Sequence, residues 1–209
     1  MASQLKLLCA DGIFGLYRYA SMFSARANGR TDIAAEAQHV YNFKKHGTRA
    51  HEIEAMIRAV AEHFGCGDII AVPGHTTAES RLQMMFGAKL RRMADVQSRK
   101  YNHRAEIEYR AQAATLAFDP VDAKHLLVVD DICTTGKTLN FYARYFSCRR
   151  KQTTLLCIGL NHKMKPVETD HCVEWEIAGE DRQQGKDAPF EDVGRFLDRM
   201  NRDFDLTNI

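Results

Sequence analysis

The chain has 209 residues, 45% of them apolar, and a formal net charge of +2 at pH 7. That length fits one domain with a sizeable core, and that apolar content excludes a disordered chain. The small net charge gives no global argument for a nucleic-acid or membrane partner.

No stretch approaches the roughly eighteen apolar residues of a membrane span. Met1 to Ala10 lacks a basic region leading into a long apolar core, so it does not read as a signal peptide. The six cysteines (Cys9, Cys66, Cys133, Cys148, Cys157 and Cys172) include no C-x-x-C pair. Scattered through apolar surroundings, they read as reduced, buried small hydrophobes rather than as disulfides or a zinc site. The expected location is the cytoplasm, by default.

Along the chain, Ile53, Met56, Ile57, Val60, Ala61 and Phe64 recur at helical spacing, and Gly65 with Gly67 supplies a stop. Asp68 to Val72 reads as a buried strand that ends at Pro73-Gly74-His75-Thr76-Thr77. Leu82, Met85, Phe86, Leu90 and Met93 predict a helix over Glu79 to Met93. Asp95 to Arg110 is polar and basic with weak periodicity. A short strand at Ala113 to Phe118, a turn at Asp119-Pro120 and a strand from Lys124 to Asp130 follow. Helical spacing returns over Leu139 to Phe146. Thr153 to Leu160 and Cys172 to Ile177 are further strand candidates, and Phe190 to Phe204 predicts a terminal amphipathic helix. Alternation of helix and strand predicts an α/β fold with a mostly parallel central sheet flanked by helices.

The densest information lies in Leu126-Leu127-Val128-Val129-Asp130-Asp131-Ile132-Cys133-Thr134-Thr135-Gly136-Lys137-Thr138. Four consecutive apolar residues predict a strand buried on both faces, and two carboxylates stand where it should leave the core. A small-residue loop opening a helix is an anion site, because unpaired N–H groups and the helix dipole point into it. The acids cannot hold phosphate, so they must serve another part of the same ligand, such as sugar hydroxyls or a metal ion. Gly136-Lys137-Thr138 imitates the end of a P-loop, but the first glycine of that motif falls at Asp131. A carboxylate there would repel the phosphates the loop should wrap.

The run resembles the signature of type I phosphoribosyltransferases, a hydrophobic strand with two acids followed by Thr-Thr-Gly-x-Thr. The resemblance covers about Asp68 to Leu160 and implies a type I phosphoribosyltransferase fold. Thr134, Thr135, Gly136, Lys137 and Thr138 would bind the 5′-phosphate of phosphoribosyl pyrophosphate (PRPP). Asp130 and Asp131 would sit against the ribose hydroxyls and meet Mg²⁺ indirectly, through those hydroxyls or water. Pro73, Gly74, His75 and Thr76 resemble the pyrophosphate loop of such enzymes, although a plain strand-to-helix connection with a threonine N-cap reads equally well.

Arg91, Arg92, Arg99, Lys100, His103, Arg104 and Arg110 crowd into twenty residues. By the resemblance, Asp95 to Glu108 would be the basic loop that closes over the leaving pyrophosphate, mobile when free and ordered by Mg-PRPP. Arg99 and Lys100 are the residues expected to act there. Tyr101 and His103 interleave aromatics with charge, which is weaker support for nucleic-acid binding by the same patch. A solvated basic loop is the bland alternative.

Tyr41-Asn42-Phe43-Lys44-Lys45-His46-Gly47 looks like the lysine-glycine entry segment of ComF-type phosphoribosyltransferases, and Arg110 with Phe118 also fits their pattern. Their N-terminal cysteine pairs are absent, and Arg99 to Arg110 is shorter than usual.

The expectation is a single domain over 1–209, with its core at about 48–160. Segments 1–47 and 161–209 would form a hood that receives the base. The implied activity is transfer of a phosphoribosyl group to a nitrogenous base or related acceptor with release of pyrophosphate. The alternative is a weak or inactive relative with a regulatory or DNA-uptake role. The acceptor is unspecified, and a homodimer is left open.

Overall fold

A computed structural model describes residues 3–20, 31–74, 79–93 and 112–177. His75, Thr76, Arg99, Lys100, the rest of 94–111 and the expected helix over Phe190 to Phe204 lie outside the described residues.

The molecule is α/β. Its central sheet has six strands: β1 (Ser3–Ala10), β2 (Ile13–Tyr19), β3 (Asp68–Ala71), β6 (His125–Cys133), β7 (Gln152–Asn161) and β8 (Val167–Trp175). Their order across the sheet is β3-β6-β7-β2-β1-β8. β3, β6, β7 and β2 pair in parallel, whereas β1 is antiparallel to both β2 and β8. The sheet is thus mixed and mostly parallel. A separate antiparallel ribbon joins β4 (Leu90–Arg92) to β5 (Leu116–Phe118). The helices are α1 (Thr31–His46), α2 (Ala50–His63), α3 (Arg81–Phe86) and α4 (Lys137–Ser147).

The apolar run of β6 explains its central place. Leu126, Leu127, Val128 and Val129 are all 0% exposed, because successive side chains enter opposite cores. Leu127 and Val129 join Val40 and Phe43 of α1 and Ile53, Met56, Ile57 and Val60 of α2. Leu126 and Val128 join Leu139, Tyr142, Tyr145 and Phe146 of α4. Each such aliphatic side chain, fully buried, contributes about 1.5–3 kcal/mol.

Three kinds of expectation need correction: one helix, the bounds of two strands, and the chain ends. The helix predicted over Glu79 to Met93 stops at Phe86, and Leu90 begins β4 instead. Ser80 and Gln83 form a capping box at the start of α3, and the Gln83 side-chain amide donates to the Leu90 carbonyl at 2.5 Å. That bond ties the ribbon back onto the short helix. Leu90 is buried through the ribbon, and Met93 is 69% exposed. The strand predicted from Ala113 is confined to Leu116–Phe118, and the one predicted at Cys172 to Ile177 is Val167–Trp175.

The third correction concerns the ends of the chain. β1, β2 and β8 belong to the central sheet, although the sequence reading put 1–47 and 161–209 outside the core. A two-residue turn, Asp11 (φ 51°) and Gly12 (φ 75°), joins β1 to β2 with Ala10 opposite Ile13. Positive φ at both central positions matches the twist of paired strands, which is why Asp-Gly suits it.

Candidate functional site

Parallel strands bring their carboxyl ends together, and a cavity of about 730 Å³ opens where β3, β6, β7 and β2 end. Asp130, Asp131, Thr134, Lys137 and Thr138 line it from β6 and the start of α4, and Pro73 and Gly74 line it from the end of β3. Seven of the sequence-derived site residues therefore share one hollow. Thr135 and Gly136 belong to the same turn without lining the cavity.

The turn after β6 is shaped by Gly136, which caps α4 with φ 72°. A Cβ on it would stand 2.9 Å from Ile13 Cδ1, so a side chain would be strained by the backbone conformation and would require the tip of Ile13 to shift. The first N–H groups of α4 consequently open the helix at the cavity with small, exposed threonines beside them. Below the turn, a hydrogen bond with Cys157 and the Gly136 N–H hold the Cys133 thiol below its usual pKa, while burial pushes the Cys157 thiol well up.

The two acids leave β6 toward different neighbours. Asp131 meets Lys44 of α1, with Nζ 2.9 Å from Oδ2. Asp130 lies toward α4, and its Oδ1 accepts the Asp131 N–H at 2.8 Å. Burial, followed by the adjacent Asp131 charge, pushes the Asp130 carboxyl up to about 7. Burial likewise pushes the Tyr142 hydroxyl up to about 12, with the Arg92 charge opposing that shift and the Asp130 charge adding to it.

Other residues of the site escaped the sequence reading. Lys44 was legible only inside the lysine-glycine segment, with no role attached. Arg92 was one cation in a crowd. Here its Nε donates to the Gly74 carbonyl at 2.6 Å, and its Nη2 lies 3.5 Å from the Tyr142 hydroxyl. One guanidinium thus links the ribbon, the loop after β3 and α4. Tyr19, Arg81, Phe141 and Asn161 also line the cavity, and no motif announces them.

Among the described residues, no group of three or more His, Cys, Asp or Glu side chains converges as a metal site. The acidic pair fits a hard cation held mainly by ligand oxygens and water, since Mg²⁺ commonly takes only one or two carboxylates. No helix among the described residues is long and apolar enough to cross a membrane. No protein-family model matches the chain, and none of the curated proteins compared with it is similar in sequence.

Chemically, the hollow offers helix N–H groups and hydroxyls for an anionic end and two carboxylates for hydroxyls or a hydrated cation. Arg92 and Arg81 lie at the side where β3 ends.

Proposed function

We propose that this cavity binds Mg-PRPP and that the chain is a phosphoribosyltransferase of type I fold. The observation carrying the reading is that Asp130 and Asp131 share one cavity with Thr134, Lys137 and Thr138 at the start of α4 and with the Pro73-Gly74 loop. A phosphorylated sugar bearing a pyrophosphate has the matching set of groups: a phosphate, vicinal hydroxyls and a second anion. The β4–β5 ribbon also supports it, because positions 94–111, with Arg99 and Lys100, connect those two strands.

In this reading the amides of the turn fix the 5′-phosphate, and Asp130 and Asp131 orient the ribose through its hydroxyls. Asp130 and Asp131 would hold Mg²⁺ indirectly, and the ion would supply neutralisation of the ligand's negative charge. Positive charge builds on the ribose as the C1′–oxygen bond breaks and negative charge moves to the departing pyrophosphate. Arg92, with Arg99 and Lys100 from the connecting segment, stabilises that departing charge. A nitrogen of the acceptor then bonds to C1′, and its proton passes to solvent or to the released pyrophosphate. Catalysis by such a site is orientation plus electrostatic stabilisation.

Asp130→Asn combined with Asp131→Asn is expected to weaken Mg-PRPP binding by about tenfold or more, or about 1.4 kcal/mol per decade. Titration calorimetry reads this directly, with circular dichroism checking that the chain stays folded. Unchanged affinity in the double variant would overturn the site assignment. Binding without pyrophosphate release for any acceptor would favour a regulatory role over turnover.

A further inference from the structure

The residues given a role so far leave part of the cavity wall unassigned. That part comes from the ends of β2 and β7, where Tyr19 stands directly opposite Asn161 in the parallel register. Neighbouring strands run about 4.8 Å apart, so these two polar residues are lateral neighbours on the sheet. Asn161 is 9% exposed, an unusual burial for a carboxamide, yet it lines the cavity. Its Oδ1 is occupied, accepting the Lys163 N–H at 2.9 Å in the 3₁₀ turn that follows β7. That bond fixes the amide orientation and leaves the Nδ2 protons as the donors available to the hollow.

The Tyr19 hydroxyl sits close to Lys44 and Asp131, and burial, opposed by the Lys44 charge, raises its pKa. It therefore stays a neutral hydroxyl that can donate or accept. Phe141 also lines the same cavity.

We propose that Asn161 and Tyr19 form the acceptor-reading subsite, and that the acceptor is a neutral, planar heterocycle carrying a ring carbonyl beside a ring N–H. The proposal rests on the PRPP reading of the cavity and names the acceptor class. The amide donates to the carbonyl oxygen, and the phenol accepts from the adjacent N–H. Lys44, the cation whose charge reaches Tyr19, is already paired with Asp131, which leaves it less to offer an acidic acceptor. A buried donor rejects an acceptor that brings a second donor, since two buried groups are then left unpaired.

The test uses the full chain with Mg-PRPP and four probes: hypoxanthine and uracil (ring carbonyls), adenine (an amino group in that place) and orotate (anionic). Wild type is expected to bind or convert hypoxanthine or uracil at least tenfold better than adenine or orotate. Asn161→Asp retains the oxygen that caps the 3₁₀ turn but replaces the donor with an acceptor. It should lose tenfold or more in kcat/KM or affinity for the carbonyl probe, shift preference toward adenine, and keep Mg-PRPP affinity within about threefold. Tyr19→Phe should reduce use of the same probe without changing that affinity.

Preference for adenine or orotate in wild type would overturn the proposal, as would an Asn161→Asp variant with unaltered preference. So would failure of every neutral carbonyl probe to bind or react while Mg-PRPP binds. Failure of Mg-PRPP itself to bind would instead strike the underlying reading of the cavity.

Discussion

At the residue scale, Asp130 gives the site a pH dependence whose sign can be worked out. Its carboxyl is raised to about 7, far above an unfolded aspartate near 3.8, mainly by burial and next by Asp131. Between those values the folded chain holds a proton that the unfolded chain has released. The Asp130 contribution to stability consequently falls as pH rises from about 4 through about 7. Binding runs the other way, because an ionised carboxylate holds hydroxyls and a hydrated cation better. Mg-PRPP affinity should thus increase through pH 7, by calorimetry, while urea unfolding shows stability declining over the same window. Asp130→Asn should flatten both profiles. Lys44→Met should move the binding midpoint upward, since the Lys44 charge lowers the Asp130 pKa.

Gly136 provides a sharper structural test at the same scale. Gly136→Val meets both a positive φ and Ile13, so ribose-5-phosphate binding should be lost. Lys137→Ala should be much milder, because the turn acts through backbone amides and hydroxyls. Equilibrium binding of ribose-5-phosphate to the two variants distinguishes this from a lysine-dependent phosphate loop, in which the second change would be the damaging one.

Elements act on the site by delivery. α1 carries Lys44 to the end of β6, and the β4–β5 ribbon carries Arg92 to the end of β3. The ribbon exists because α3 is short. Ser80 and Gln83 cap it, and the Gln83 amide then holds the Leu90 carbonyl. A helix continued to Met93 would have replaced β4 with a further turn of helix. Arg92→Gln should weaken Mg-PRPP binding by about tenfold, again about 1.4 kcal/mol, because the Gly74 loop loses its tie and the cavity loses a cation. Arg92→Lys should recover only part of the loss, since a lysine keeps the charge without the planar fork. Titration calorimetry on both variants measures the split.

At the scale of the whole molecule, the sequence determined most of what is local and contiguous. The β6 strand, its two acids, the Thr134–Thr138 turn and α4 were legible because apolar run, carboxylates and small-residue loop follow one another without interruption. α2 was legible from its apolar spacing, and β3 from its short apolar run. The sheet's other half is less legible: the strand expected at Cys172 to Ile177 marks only the end of β8, and β1 and β2 have no counterpart among the expected elements. Asp11-Gly12 between apolar strands was a hairpin signal that could have shown β1 and β2. Nothing local, however, says that β2 pairs in parallel with β7, more than a hundred positions away.

That pairing decides the site. It puts Tyr19 beside Asn161, brings α1 and Lys44 over Asp131, and makes one cavity from the ends of four strands. Sequence patterns carry the periodicity of burial and the chemistry of a continuous loop. They do not carry strand order, because any apolar strand can pair with any other until packing on both faces chooses. Tertiary structure made that choice, and with it selected which isolated polar residues became neighbours in the cavity.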